Sequence, residues 1–178
     1  PNWGATDPNQ KLELWTNGHE NVVSPYGNQF LEVNSNGPYA IIQKVSTVPG
    51  QRLKISFAHR GRSGTDTLAL AVGRSDDTLV ELIRATTSEA EWELYEEIYT
   101  VPAGQAGLLF KFIPIAQSTN NNTIGNFLDR FSIKTDCTDT DGDGLTDADE
   151  ASLGSDPTIA DSDDDDLTDS EEFYVTNT

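Results

Sequence analysis

The chain has 178 residues, with 11 basic and 30 acidic side chains and a net charge of −19. That length gives room for one ordinary domain plus an appendage; no apolar run approaches the length of a bilayer span, and the lack of a basic patch argues against a nucleic-acid partner. The charge is uneven: residues 1–135 hold 14 acids and 11 bases while the last 43 residues hold 16 acids and no base, which excludes the evenly acidic surface of a halophile.

In chain order, short runs read as strands: KLELW (11–15), NQFLEV (28–33), PYAIIQKV (38–45), RLKISFA (52–58), DTLALAV (66–72), TLVELI (78–83), WELYEEIYTV (92–101), GLLFKFIPI (107–115) and NFLDRFSIK (126–134). Several alternate apolar with polar residues, as half-buried antiparallel strands do, and SPYGN, NSNGP, TVPGQ and VPAGQ supply turns between them. None shows a helical period. Even spacing of many strands predicts an all-β domain over 1–135, a jelly-roll β-sandwich.

The order W…KLELW…GNQFLEVN…AIIQKVSTVPGQRLKISFAHRGR…DTLALAVG…WELYEEIYTVPAGQAGLLFKF…GNFLDRFSI resembles the galactose-binding-domain-like jelly rolls, which are related to several carbohydrate-binding families. The resemblance covers residues 3–134 and implies a lectin-like module. Members open with an N-G-x-F-E strand before the first tryptophan, which often helps a calcium site together with an aspartate of the last strand. Here that aspartate is Asp129, and the given sequence starts just past the strand, at Pro1-Asn2-Trp3.

Sugars are held by aromatic faces and by planar polar side chains. Trp3, Trp15, Tyr26, Tyr39 and Trp92 are candidates for stacking; Glu32, Asn34, His59, Arg60, Arg62, Asp66 and Asn126 are candidates for hydrogen bonding. The stretch HRGRSGTD (59–66) places two arginines and a histidine after an apolar strand in a glycine-bearing loop, where function tends to sit. The competing reading puts Trp15 and Trp92 in the core and pairs Arg60 and Arg62 with Asp66 or Glu32. Enzyme chemistry is not expected: there is no nucleophile elbow, and Glu93, Glu96 and Glu97 share one strand instead of facing each other across a cleft.

The remaining segment, 136–178, is decided by DTDGDGLTDADE. Asp139, Asp141, Asp143, Gly144, Asp147 and Glu150 fall at positions 1, 3, 5, 6, 9 and 12 of the calcium-loop pattern D-x-[DN]-x-[DN]-G-x5-E. Alternate carboxylates curl round one ion, the carbonyl of Leu145 adds an oxygen, glycine permits the turn, and the glutamate closes the far side. Calcium accepts this oxygen set more readily than magnesium with its strict octahedron. The pattern repeats 22 residues later in Asp161, Asp163, Asp165, Leu167, Asp169 and Glu172, with Asp166 replacing the turn glycine. Aspartate adopts the left-handed conformation less freely, so the second site is expected to be the weaker. Such spacing outweighs the alternative of a disordered acidic tail.

The flanks define the kind of loop. FSIKTDCT (131–138) is alternating, with no entering helix, and the brief helix DADEASL is stopped by Gly154 and Pro157. The motif D-x-D-G-D-G-L-x-D-x-x-E…G-x-D-P over 136–178 resembles bacterial thrombospondin type 3 repeats; the longer helices of a dockerin are missing. The resemblance implies that spacer carboxylates add ligands, which makes Asp156 a candidate.

The expected protein is therefore a non-catalytic piece of a large secreted or cell-surface bacterial protein. It has no initiator methionine and no signal peptide, and reads as excised from a longer product. Its cofactor is Ca²⁺; its partners are a glycan or polysaccharide and other domains of the same protein, with no nucleic acid and no membrane insertion. Calcium loops of this kind suit extracellular calcium. The alternatives are a passive stalk, adhesin or filament module with protein contacts only, or an accessory domain of a polysaccharide-degrading enzyme. Cys137, the single cysteine, is either an inert thiol or the partner of a cysteine in another segment.

Overall fold

A computed structural model describes residues 3–34, 37–119, 121 and 123–176. The chain divides into two compact units, Pro1–Lys134 and Thr135–Thr178.

The first unit is all-β. Its strands are β1 (Trp3–Ala5), β2 (Glu13–Thr16), β3 (Gln29–Glu32), β4 (Ile41–Ser46), β5 (Arg52–Arg60), β6 (Asp66–Gly73), β7 (Val80–Thr87), β8 (Glu93–Thr100), β9 (Gly107–Ala116) and β10 (Phe127–Thr135). They form two five-stranded sheets, ordered β1-β4-β9-β6-β7 and β2-β3-β10-β5-β8. This is the jelly-roll sandwich, in which neighbouring strands come from distant parts of the chain.

Period-two patterning builds the core between the sheets. Leu53, Ile55 and Phe57 alternate along β5, and Leu68, Leu70 and Val72 along β6. Leu108, Phe110 and Phe112 complete the set from β9. Phe110 pairs with Val72 and Phe112 with Leu70 across β6 and β9, so the rows meet side by side. Full burial of each such side chain contributes roughly 1.5–3 kcal/mol. A second cluster, Trp15, Val22, Phe30 and Phe127 with Trp92 against it, lies on the other face of the second sheet. The register requires this: Trp15 sits opposite Phe30, while Leu128 sits opposite Leu31 and belongs to the main core.

Several strands differ from expectation. β1 was not among the predicted strands; it is short, and Trp3 secures it by pairing opposite Gln43 and packing 6.1 Å from Phe112 and 5.5 Å from Phe131. The KLELW strand begins only at Glu13, because the Lys11 amide donates to Asp7 Oδ2 (3.1 Å) and is lost to the ladder. β7 runs past the predicted end to Thr87, since Ala85 and Thr87 continue the buried row that Ile83 starts.

The second unit holds two short helices, α1 (Asp147–Leu153) and α2 (Asp169–Thr176). α1 coincides with DADEASL. The Thr146 hydroxyl caps it by accepting from the Asp149 amide (3.3 Å), and Gly154 ends it at φ 93°. A left-handed C-terminal residue favours glycine.

Candidate metal centre and sugar-contact residues

The first acidic loop is wound by its own carboxylates. Asp139 accepts the Gly142 amide at Oδ1 (2.8 Å) and the Gly144 amide at Oδ2 (3.2 Å). Asp141 Oδ1 accepts Asp143 N (3.2 Å), and Asp143 Oδ1 accepts Leu145 N (2.7 Å). One carboxylate oxygen from each of Asp139, Asp141 and Asp143 lies within 4.8 Å of the others. Gly142 and Gly144 take φ of 79° and 104°, which only glycine adopts freely.

Glu150 closes this loop from α1. It is 0% exposed, and among the described residues neither of its carboxylate oxygens has a hydrogen-bond partner; Asp141 Oδ2 is likewise buried without one. Burial, and then the charges of Asp141, Asp143, Asp147 and Asp169, raise the Glu150 carboxyl to about 7. An unpaired buried charge costs several kcal/mol, on the order of a broken ion pair. A hard divalent cation among these oxygens would remove that cost. The donor set fits calcium, which takes about six to eight oxygens in flexible geometry.

Asp147 and Asp169, expected at position 9 as ligands, accept hydrogen bonds at both oxygens, as Asp139, Asp143 and Asp161 also do. Asp147 accepts the Thr140 amide and hydroxyl (2.8 Å each); Asp169 accepts the Ser162 amide (3.1 Å) and hydroxyl (2.7 Å). In both repeats this carboxylate fastens position 2 to the start of the outgoing helix. The hydroxyl residues 22 apart, Thr140 and Ser162, were the overlooked signal in the sequence.

The second loop repeats the winding. Asp161 Oδ1 accepts Asp164 N (2.7 Å) and Oδ2 accepts Asp166 N (3.0 Å), and Asp165 Oδ1 accepts Leu167 N (3.1 Å). Asp161, Asp163 and Asp165 again converge within 4.8 Å. It departs from the first loop in two ways. Asp164 and Asp166 replace both glycines, at φ of 60° and 77°, and Leu167 is 44% exposed where Leu145 is 2% exposed. Glu172 stands above the usual carboxylate range, chiefly through the charge of Asp163. Asp156 directs Oδ1 at the Thr158 amide (3.0 Å) and hydroxyl (2.8 Å), which hold its carboxyl low; in this structure it braces the spacer.

In the sandwich, the structure brings six of the seven predicted hydrogen-bonding residues together, directed at one another. Glu32, Asn34, His59, Asp66 and Asn126 are buried. His59 Nε2 meets Asn126 Oδ1 (3.0 Å) and Nδ1 meets Thr87 Oγ1 (3.0 Å), and burial lowers the ring to about 4, keeping it neutral. Asp66 accepts from Arg62 N (2.9 Å), Asn126 N (3.2 Å) and Ser118 N (2.7 Å). Arg62 donates to Glu32 Oε1 (2.9 Å) and Glu20 Oε2 (3.1 Å) and lies 4.6 Å over the Trp15 ring. Burial raises the Glu32 carboxyl even though Gly125 N and Arg62 donate to it. The network ties the 61–66 and 117–126 loops to β3.

Arg60 differs. It is partly exposed, donates through Nη2 to the Glu89 carbonyl, and keeps Nη1 without a partner among the described residues. Of the aromatic candidates, Trp15 is buried; Trp3, Tyr26, Tyr39 and Trp92 are half-buried. Trp3 lines an open cavity of about 320 Å³ with Gln29, Leu31, Asp129 and Arg130. The Arg130 guanidinium lies 5.0 Å from the Tyr26 ring centre. Gln29 and Arg130 were not predicted; nothing local in the sequence sets them apart.

Residues 139–159 match the bacterial TSP3 (thrombospondin type 3) repeat. No curated protein matches the chain. The sandwich is similar to the CBM22-2 xylan-binding domain of Paenibacillus barcinonensis Xyn10C, with a TM-score of 0.57 at 20% identity over 76% of this chain and 92% of that one. It is also similar to the C-terminal family 22 carbohydrate-binding module of Clostridium thermocellum Xyn10B (TM-score 0.56, 14% identity, 75% and 85% covered). TmCBM61, solved with β-1,4-galactotriose, gives a TM-score of 0.54 at 13% identity, with 75% and 88% covered. At such identities the likeness is one of fold. The chain thus joins a jelly-roll sandwich with the fold of carbohydrate-binding modules to a segment carrying a bacterial thrombospondin type 3 repeat.

Proposed function

We propose that the chain is a non-catalytic, glycan-binding module followed by a calcium-stiffened spacer, part of a larger secreted or cell-surface protein. The observation that carries the spacer reading is Glu150, fully buried, with neither oxygen partnered among the described residues, in the field of Asp141, Asp143, Asp147 and Asp169. Asp139, Asp141, Asp143, Asp147, Glu150 and the Leu145 carbonyl would hold one ion; Asp161, Asp163, Asp165, Asp169, Glu172 and the Leu167 carbonyl would hold a second. Bound calcium would neutralise carboxylates that otherwise repel, supplying folding energy to a segment with little apolar core. Calorimetric titration of the calcium-free protein is expected to show uptake of two ions. A protease that trims the tail in chelator should spare it in calcium; no uptake and no protection would end this reading.

On the sandwich, the cavity beside Trp3 offers an aromatic edge with planar polar groups at Gln29 and Arg130, and Arg60 is a partly exposed cation outside the buried network. The fold shared with a xylan-binding domain and with a module solved in complex with β-1,4-galactotriose supports a polysaccharide ligand. Retention on β-1,4-linked polysaccharides, xylan and galactan included, tests it: Arg130→Ala or Arg60→Ala should weaken retention at least several-fold. A second reading, a passive stalk module, is favoured by the buried mutual pairing of Glu32, His59, Arg62, Asp66 and Asn126. Lack of retention on every polysaccharide would select it.

A further inference from the structure

The two repeats are not independent. Asp143, the position-5 carboxylate of the first loop, is held from both sides: Oδ1 accepts Leu145 N (2.7 Å), and Oδ2 accepts Ser170 N (2.9 Å) from the start of α2. The Ser170 hydroxyl also donates to the Asp143 carbonyl (2.8 Å). Ser170 is 6% exposed and its neighbour Asp169 is also 6% exposed. An amide in the first turn of a helix has no partner within that helix, so α2 gives up nothing by this donation.

The hydroxyl that makes this contact is particular to the second repeat. The residue 22 positions before Ser170 is Ala148, which has no hydroxyl. Leu145 is covered where Leu167 is 44% exposed.

We propose that Ser170 is a positioning residue for the first ion cage, so that the first loop binds its cation at full strength only when the second repeat is folded against it. This rests on reading the loops as calcium cages. The Ser170 amide holds Asp143 Oδ2 and the Ser170 hydroxyl holds the Asp143 carbonyl, and together they set how Asp143 presents its carboxylate to the ion.

The test is calcium titration of the full chain by calorimetry. Ser170→Ala, which leaves every carboxylate and the amide bond to Asp143 Oδ2 in place but removes the hydroxyl's bond to the Asp143 carbonyl, should weaken the first site about fivefold, the worth of one ordinary hydrogen bond. Ser170→Thr, which keeps the hydroxyl, should bind as the wild type does. Asp161→Asn with Asp165→Asn should remove one ion and weaken the other. In an Asp139→Asn, Asp141→Asn background, where only the second cage is left, Ser170→Ala should change nothing. Helix content in calcium, followed by far-UV circular dichroism, should be equal in the Ser170 variants and the wild type. Unchanged affinity in Ser170→Ala, or equal weakening of both sites, would overturn the proposal while leaving the cages standing. Absence of calcium uptake by the wild type would remove the cages and the proposal together.

Discussion

His59 shows how a polar residue in an apolar interior sets a pH limit. Its ring is 0% exposed and held at about 4 by burial, below the ordinary 6.5 of the unfolded chain. A depressed histidine binds its proton more readily when unfolded, so the stability it contributes is complete above about pH 6.5 and is lost as pH falls toward 4. The full loss for this one group is about 3 kcal/mol. Denaturant unfolding of the sandwich at pH 7 and pH 4.5 should show a drop that largely disappears in His59→Gln. Sequence reading selected His59, Arg62, Asp66 and Asn126 as a set, and they do assemble. It did not give their direction, because whether a side chain at a strand end faces inward depends on a register fixed by partners far along the chain.

At the level of the loop, the ligand positions were legible because one contiguous stretch supplies them and spacing alone defines the curl. The fastening by Thr140 and Ser162 was equally local but lies outside the ligand pattern. Ser170 could not be read at all, since its partner is 27 residues away. The replacement of Gly144 by Asp166 was visible; the matching replacement of Gly142 by Asp164 gained meaning only when both took left-handed angles. Relief of that strain is testable. Asp166→Gly should raise the affinity of the second loop several-fold, in keeping with about 1 kcal/mol for a left-handed non-glycine residue. Asp166→Asn removes the same charge while keeping a side chain on the backbone, and should not reproduce the gain. Equal effects of the two changes would assign the result to charge.

Across the whole molecule, the two units draw stability from different sources: interleaved apolar rows in the first and, on the proposal above, bound cations in the second. Thermal unfolding should therefore respond to calcium selectively. Added chelator is expected to lower the transition of the tail, followed by protease sensitivity, while moving the sandwich transition, followed by tryptophan fluorescence, by less than about 2 °C, since a ligand stabilises only what binds it. All three tryptophans lie in the sandwich, so the two signals separate cleanly. A chelator-induced fall in the tryptophan transition as large as that of the tail would place an ion in the sandwich as well.

β8 closes one border of the second sheet, and among the described residues no further strand is paired beyond it. Glu93, Glu96 and Glu97 are all exposed along it, with Lys54 at 3.0 Å from Glu96 the cation nearest to hand. A strand from another copy that tried to extend the ladder there would bring its own carboxylates against these. The border is thus guarded by charge repulsion against edge-to-edge pairing.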